Sequence, residues 1–225
     1  MSNDNSHRRP HFRLALFLAC AILIFLAFNT LHSFSNTLHR LDGIESERDQ
    51  WQRPMDVLRA LDLHEADTVA DLGSGAGYFA LKLSHAVGNR GRVLAVDLRR
   101  LSLFFLWTRE LLRGRHNVHV IVGEENNPRL PTGTLDAVLI CNTYHEFSKP
   151  ELMLHHTFRA LRPGGHLVVI DRAPRASAAE HSHGMPLKVV EGALRREGFE
   201  IVSQDDRFID RPSDDLWWLV IARKP

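Results

Sequence analysis

Residues 69–78 read VADLGSGAGY, and this stretch predicts more about the fold than any other part of the sequence. Its first four residues, three apolar and one acidic, indicate a buried strand. Gly73, Gly75 and Gly77 follow, and glycines at this spacing let the backbone approach a ligand closely. From Tyr78 onward the pattern becomes helical, so the N-terminal amides of a helix face the same loop. A strand, a glycine loop and a helix in this order predict a ligand-binding site.

Strands and helices alternate along the chain from residue 51 onward. The predicted strands cover residues 68–72, 92–97, 118–122, 135–141, 166–171, 199–204 and 216–222. The predicted helices cover residues 51–63, 78–87, 102–112, 150–161 and 186–197. This alternation predicts βαβ units and a mainly parallel sheet. The last two strands are too close in sequence for a helical crossover, so the last strand should run antiparallel to its neighbour. We therefore expect an α/β fold with a doubly wound, seven-stranded mixed sheet.

A carboxylate at the end of the second predicted strand extends the predicted site. Asp97 lies twenty residues after Gly77 and can accept hydrogen bonds from both ribose hydroxyls of an adenosine ligand. The Gly-x-Gly-x-Gly spacing differs from the Gly-x-Gly-x-x-Gly fingerprint of dinucleotide-binding proteins, whose helix amides bind a pyrophosphate. A glycine-rich turn without any ligand is the alternative. The positions of Asp71 before the loop and Asp97 after it favour the binding site.

With these residues in place, the sequence resembles the class I S-adenosylmethionine-dependent methyltransferases from about Trp51 to the C-terminus. Residues 161–165, LRPGG, precede a strand as in that family, and residues 216–219, LWWL, look like its aromatic-rich last strand. The resemblance implies a Rossmann-like domain with a seven-stranded sheet and a reversed last strand. It also implies S-adenosyl-L-methionine as the cofactor.

The resemblance implies a place for each part of that cofactor. The three loop glycines would pass under its methionine and ribose parts, and Asp97 would bind the ribose hydroxyls. The segment after the third strand, with Glu124 and Glu125, would approach the adenine. The residues that we expect to bind the cofactor are Asp71, Gly73, Ser74, Gly75, Gly77, Asp97, Glu124, Glu125 and Asn142.

Residues 141–147, CNTYHEF, are the candidates for catalysis because they follow the fourth predicted strand. In open α/β sheets, ligands bind beyond the carboxyl ends of the strands. Methyl transfer from a sulfonium needs an aligned acceptor and, for oxygen or nitrogen acceptors, often a base. His145 has a suitable intrinsic pKa for that base, and Tyr144 and Glu146 are candidate helpers. The alternative is that these residues only cap the next helix or shape the pocket.

The N-terminal segment predicts contact with a membrane. Residues 14–28 are all apolar and follow Arg8, Arg9 and Arg13. Extended to residue 31, a helix of about 1.5 Å per residue nearly spans the ~30 Å hydrocarbon core of a bilayer. We expect an uncleaved membrane anchor over residues 14–31, with a cleaved signal peptide as the alternative. The basic flank is expected to stay in the cytoplasm, which would place the catalytic domain on the outer face of the membrane. S-adenosylmethionine is not expected to be plentiful there. The side of the membrane that the domain faces therefore stays open.

Three segments follow from this organisation: a basic flank and anchor at 1–31, a linker or helical stalk at 32–50, and a methyltransferase domain at 51–225. Residues 45–54 form either a lid over the cofactor or a stalk surface. The loop at 172–185 should help to shape the acceptor pocket. The run Phe104-Phe105-Leu106-Trp107 is expected to pack in the core.

Composition limits the partners. A net charge of +1 gives no reason to expect a nucleic acid. Cys20 and Cys141 stand alone, and His181 with His183 lacks matching acidic or cysteine ligands, so no metal site is expected.

The predicted function is methyl transfer to a small-molecule or otherwise unidentified acceptor. Two rivals are a membrane-tethered, non-catalytic S-adenosylmethionine-binding protein and an NAD-dependent oxidoreductase, the latter disfavoured by the glycine spacing and the reversed last strand.

Overall fold

The computed structural model describes residues 8–174, 184–212 and 215–225, and side chains from residue 16 onward. The chain divides into two compact units, one before and one after the boundary between Ser46 and Glu47. The described part of the first unit lies within one long helix, α1 (Arg8–Trp51). Residues 32–50 are therefore helical throughout.

The apolar part of α1 is exposed over its described side chains. Its large hydrophobic side chains from Leu16 to Leu31 are more than half exposed. Within the described ranges, this is the one helix that is long and apolar enough to cross a membrane.

The second unit alternates strands and helices. After α1 come α2 (Pro54–Ala60), β1 (Thr68–Leu72), α3 (Tyr78–Ala86), β2 (Arg92–Asp97), α4 (Arg100–Leu112), β3 (Val118–Val122), β4 (Leu135–Cys141), a 3-10 turn (Tyr144–Glu146), α5 (Pro150–Ala160), β5 (Leu161–Arg172), α6 (Leu187–Glu197), β6 (Glu200–Arg211) and β7 (Asp215–Arg223). The strands form one sheet in the order β3-β2-β1-β4-β5-β7-β6. Strands β1 to β5 pair in parallel, and β7 runs antiparallel to both β5 and β6. The expected doubly wound mixed sheet with a reversed last strand is confirmed.

Both faces of the sheet are covered. Alternate residues of a strand point to opposite faces, so Val69 of β1 packs with α2, α3 and α4, whereas Ala70 packs with α5 and α6. Strand β1 pairs with β2 on one side and with β4 on the other. The chain therefore reverses its winding direction between β1 and β4, and ligands bind at the carboxyl edge of such a switch point.

Two expectations about helices were wrong in detail. The helix predicted over 51–63 is two helices, because Arg53 adopts a left-handed conformation with φ 51°. The proline at 54 disfavours an α-helical conformation in the residue before it, which explains the break.

The run 104–107 does not lie wholly in the core: Leu106 is buried, but Phe104 and Trp107 are 48% and 47% exposed. Helical periodicity allows only part of a four-residue run to face the sheet.

Candidate active site

The loop between β1 and α3 holds its three glycines for different reasons. All three have positive φ, at 78° for Gly73, 54° for Gly75 and 95° for Gly77. A Cβ at Gly73 would lie 2.2 Å from the Thr143 hydroxyl, and one at Gly77 would lie 2.7 Å from Cγ of Leu106. A Cβ at Gly75 would meet nothing within 4 Å. The outer glycines therefore allow close packing, and the middle one faces open space that a ligand can enter.

The carboxylate of Asp97 holds this loop in place. The side chain is 6% exposed, and its Oδ2 accepts a hydrogen bond of 2.8 Å from the backbone N–H of Gly75. Its Oδ1 accepts one of 2.8 Å from the N–H of Arg99. Nε of Arg99 also lies 3.4 Å from Oδ1. A carboxylate has about four lone-pair positions, so one remains for a ribose hydroxyl, and a second becomes available if the exposed Arg99 side chain moves away. Asp97 and the glycine loop thus form one structural unit.

Three expected cofactor ligands carry buried polar atoms without a hydrogen-bond partner among the described residues. They are Oδ2 of Asp71, Oγ of Ser74 and Oδ1 of Asn142, from the ends of β1 and β4 and from the loop between β1 and α3. Buried polar atoms are nearly always hydrogen-bonded in folded proteins. Burial also raises the pKa of Asp71 to about 7, with the Arg48 guanidinium acting in the opposite direction. This group of atoms fits a polar ligand such as the methionine part of the cofactor.

The last turn of α1 packs beside the glycine loop. The Arg48 guanidinium lies 3.7 Å from the centre of the Tyr78 ring, and the Tyr78 hydroxyl donates a 2.9 Å hydrogen bond to Asp49. Nε2 of Gln52 lies 3.3 Å from Sγ of Cys141, at the end of β4. This turn therefore contacts the residues that flank the expected cofactor position.

His145 is paired with a buried carboxylate from the neighbouring strand. Its Nδ1 lies 2.7 Å from Oδ1 of Asp171, and its backbone N–H donates to Oδ2 of the same residue at 3.0 Å. The Asp171 side chain is fully buried, and that of His145 is 12% exposed. The hydrogen bond to Asp171 raises the pKa of His145 above its usual value, and partial burial opposes this shift. With Nδ1 donating to Asp171, Nε2 is the nitrogen that would accept a proton.

Asp171 was missed by the sequence analysis. It is the last residue of the predicted fifth strand, and nothing local distinguishes it from a strand-end aspartate. The sheet topology could have indicated Asp171. Because β4 and β5 are parallel, their carboxyl ends lie at the same edge of the sheet, which places Asp171 near the segment that follows β4.

The two candidate helpers of His145 have different surroundings. Tyr144 is 2% exposed and packs in the core with residues of α5 and α6, and burial raises its pKa to about 12. The structure therefore does not bring its ring to the polar group at the end of β1. Glu146 is largely exposed, with Oε1 4.0 Å from Nε2 of His145.

The segment after β3 is held next to Asp97. The N–H of Gly123 donates a 3.1 Å hydrogen bond to the carbonyl of Asp97. Glu124 and Glu125 follow and are exposed, and Glu124 pairs with Arg129. No cluster of metal-binding side chains occurs in the described residues. His181 and His183 lie outside those residues, as does most of the loop 172–185.

Comparisons with known proteins agree with this geometry. Residues 69–165 match a family model described as a methyltransferase domain. The ubiquinone/menaquinone biosynthesis C-methyltransferase UbiE of Blochmanniella floridana is 29% identical over 119 residues, covering 51% of this chain and 46% of the relative. UbiE of Salmonella arizonae is 30% identical over 112 residues, covering 48% and 44%. The chain thus spans somewhat less than half the length of these curated relatives.

Solved structures match more of the chain. A SAM-dependent methyltransferase from Aquifex aeolicus is 26% identical with a TM-score of 0.69, covering 82% of this chain and 97% of that chain. The [4+2]-cyclase SpnF has a TM-score of 0.66 at 20% identity, covering 76% and 79%. At 20% identity, the second match shows the fold alone. It is named as a cyclase, in line with the general rule that one fold can serve different reactions.

The sheet order, the glycine loop with Asp97 and these matches support the expected resemblance of the second unit to the class I S-adenosylmethionine-dependent methyltransferases. They also support S-adenosyl-L-methionine as the cofactor.

Proposed function

We propose that this chain transfers the methyl group of S-adenosylmethionine to a small-molecule acceptor, from a position tethered to a membrane. The observation that carries methyl transfer is the group of buried atoms on Asp71, Ser74 and Asn142 that have no partner among the described residues, next to the loop that Asp97 holds. The nicotinamide rival is disfavoured by the reversed last strand, since β7 runs antiparallel to both of its neighbours.

Each residue has a separate task in this proposal. Asp97 binds the ribose hydroxyls, and the three buried polar atoms bind the methionine part. Glu124 or Glu125 contacts the adenine. When bound, the cofactor supplies an electrophilic methyl group on its sulfonium sulfur. The chain contributes mainly alignment and removal of water from the acceptor.

His145 is the proposed general base. Its Nε2 takes a proton from the acceptor, which raises the electron density on the attacking atom. Asp171 is a positioning residue, because it fixes the tautomer and orientation of the imidazole and stabilises the imidazolium ion that forms. The curated relatives are named as C-methyltransferases, so a carbon acceptor activated by a neighbouring hydroxyl is the first class to test.

The test is transfer of radiolabel from methyl-labelled S-adenosylmethionine to a fractionated lipid and metabolite extract. We expect wild-type protein to label one fraction and His145→Gln to label it at least about a hundredfold more slowly. Cofactor binding by His145→Gln at wild-type affinity serves as the folding control. Cofactor binding without label in any fraction would instead support the non-catalytic binding protein.

The membrane tether rests on residues 14–31. Their side chains, where described, are exposed along one continuous helix and apolar apart from Asn29 and Thr30. We propose that this segment stays attached as an anchor, followed by a helical stalk to residue 50 and the catalytic domain at 51–225. Mass measurement of the mature chain checks this: a chain that retains residues 14–31 and resists alkaline extraction from membranes supports the anchor. A mature chain that begins after residue 31 would show a cleaved signal instead.

A further inference from the structure

The outer face of α4 is apolar where a surface helix is normally polar. Leu103 and Leu106 point to the sheet and are buried. The side chains on the opposite side are also hydrophobic: Leu101 is 68% exposed, Phe104 48%, Trp107 47%, Leu111 48% and Leu112 69%. A helix on the surface of a soluble domain buries one apolar stripe and presents charged residues to water. This helix presents leucine and aromatic side chains instead.

The exposed charged residues of α4 and of its two ends are arginines. Arg99 and Arg100 at the start of the helix and Arg113 at its end are exposed. The one acidic residue between positions 98 and 116 is Glu110. Glu110 is buried, and its carboxylate accepts a 3.0 Å hydrogen bond from the backbone N–H of Val118. Within residues 98–116, the exposed charged side chains are therefore all basic, and Arg99, although exposed, also lies 3.4 Å from Oδ1 of Asp97.

We infer that the outer face of α4 (Leu101, Trp107, Leu111 and Leu112, with Arg99 and Arg100 at the start of the helix) docks the catalytic domain onto an anionic membrane surface. Interfacial helices have this composition, with arginine for the lipid phosphates and leucine, phenylalanine and tryptophan for the acyl boundary. A second copy of the chain is a poorer occupant, because pairing two such faces would bring the same arginines together. The inference uses the tether of the proposed function only to supply a nearby bilayer, and it does not depend on methyl transfer.

The position of α4 relates this face to the cofactor loop. Leu106 packs against Gly77, and Nη1 of Arg109 donates a 2.7 Å hydrogen bond to the carbonyl of Ala76. The exposed Leu98 follows Asp97 directly. Docking through α4 would thus hold the glycine loop about one helix diameter, roughly 10 Å, from the lipid headgroups. That distance suits an acceptor that resides in the membrane.

Trp107 is a native probe for this contact. The other tryptophans are less exposed: Trp217 and Trp218 are 1% exposed, and Trp51 is partly buried. The full chain is reconstituted into phosphatidylcholine/phosphatidylglycerol vesicles with brominated acyl chains, which quench nearby tryptophan emission. The signal of Trp107 is the difference between wild type and Trp107→Phe. We expect that signal to be strongly quenched in brominated vesicles relative to ordinary ones.

Two variants make the test specific. Leu101→Lys combined with Leu111→Lys should lower the quenching of Trp107 by about tenfold, because two apolar anchors are lost and two charges enter the interface. The matched control is Val189→Lys, at an exposed apolar position on α6 that is 52% accessible, and it should leave the quenching unchanged. S-adenosylmethionine binding by each variant reports folding.

The opposite results would overturn the inference. Equal Trp107 emission in brominated and ordinary vesicles would show that the face does not contact lipid. Blue-shifted but unquenched emission would assign the face to a protein partner or a second copy. Quenching that survives the double substitution would place Trp107 in lipid by a route other than the α4 face.

Discussion

Single residues set the chemistry of the site, and the pair of His145 and Asp171 is the most informative. Asp171 is fully buried, so its carboxylate interacts with the imidazole in a low-dielectric environment and raises the pKa of His145. A general base must be neutral to act, so the rate of methyl transfer should rise as the pH increases through the pKa of His145.

The pair of His145 and Asp171 also affects the stability of the fold. Since the folded-state pKa of His145 is raised, the pair stabilises the fold most at pH below about 6.5, and this contribution is lost as the pH rises through the raised pKa.

Asp171→Asn tests the positioning role. It removes the charge that favours imidazolium, so the pKa of His145 should fall and the acidic limb of the rate profile should move to lower pH. The maximal rate should drop by about 10²- to 10⁴-fold, because the tautomer is no longer fixed. NMR titration of the His145 ring measures the pKa directly. An unchanged His145 titration in a folded variant would remove Asp171 from the mechanism.

Gly75→Ala tests whether the middle glycine faces the ligand. Its φ of 54° makes alanine strained by about 1–2 kcal/mol, but the new methyl group meets no protein atom within 4 Å. We expect a folded protein with cofactor affinity reduced by tenfold or more. Gly133→Ala is the control, since Gly133 has a φ of 67°, equally open surroundings and a position before β4 at the other end of the sheet. Equal cofactor affinity in the two variants would contradict the assignment.

At the scale of elements, prediction from sequence worked best where strands are buried. The observed bounds of β1, β2, β3 and β4 match the predicted ones, because continuous apolar runs between turn residues are hard to misread. Strand β6 extends to Arg211, well beyond its predicted end at 204. Residues 203–207 are polar and exposed and precede the buried Phe208 and Ile209, so the pairing with β7 is what identifies the whole segment as one strand.

The last turn of α1 gives a prediction at this scale. Tyr78→Phe removes the hydrogen bond from α3 to Asp49 on α1 and should lower the free energy of unfolding by about 1 kcal/mol. Asp49→Ala and the double variant complete a cycle by chemical denaturation. If the contact exists, the double variant should lose less stability than the sum of the two single variants. Strict additivity would show that this turn does not contact α3 as described.

At the scale of the whole molecule, sequence alone predicted the class of the domain but not all of its site. Asn142 is far in sequence from Asp71 and Ser74, and the pairing of β1 with β4 brings these residues, whose atoms lack a partner among the described residues, to one edge of the sheet. The motif around the glycines made Asp71 and Ser74 predictable, and the end of the fourth strand made Asn142 predictable. Asp171 and the apolar outer face of α4 were not predictable, because both depend on which side of an element faces a neighbour.

The central claim is that the carboxyl edge of the sheet binds S-adenosylmethionine through Asp97. The most direct measurement is calorimetric titration of the full chain in detergent with S-adenosylmethionine, S-adenosylhomocysteine and NAD. We predict binding of both sulfur ligands, weakened at least about a hundredfold in Asp97→Ala through the loss of two charge-assisted hydrogen bonds. Asp206→Ala, at an exposed carboxylate on edge strand β6, should bind normally. Folded protein that binds NAD and neither sulfur ligand would contradict the account.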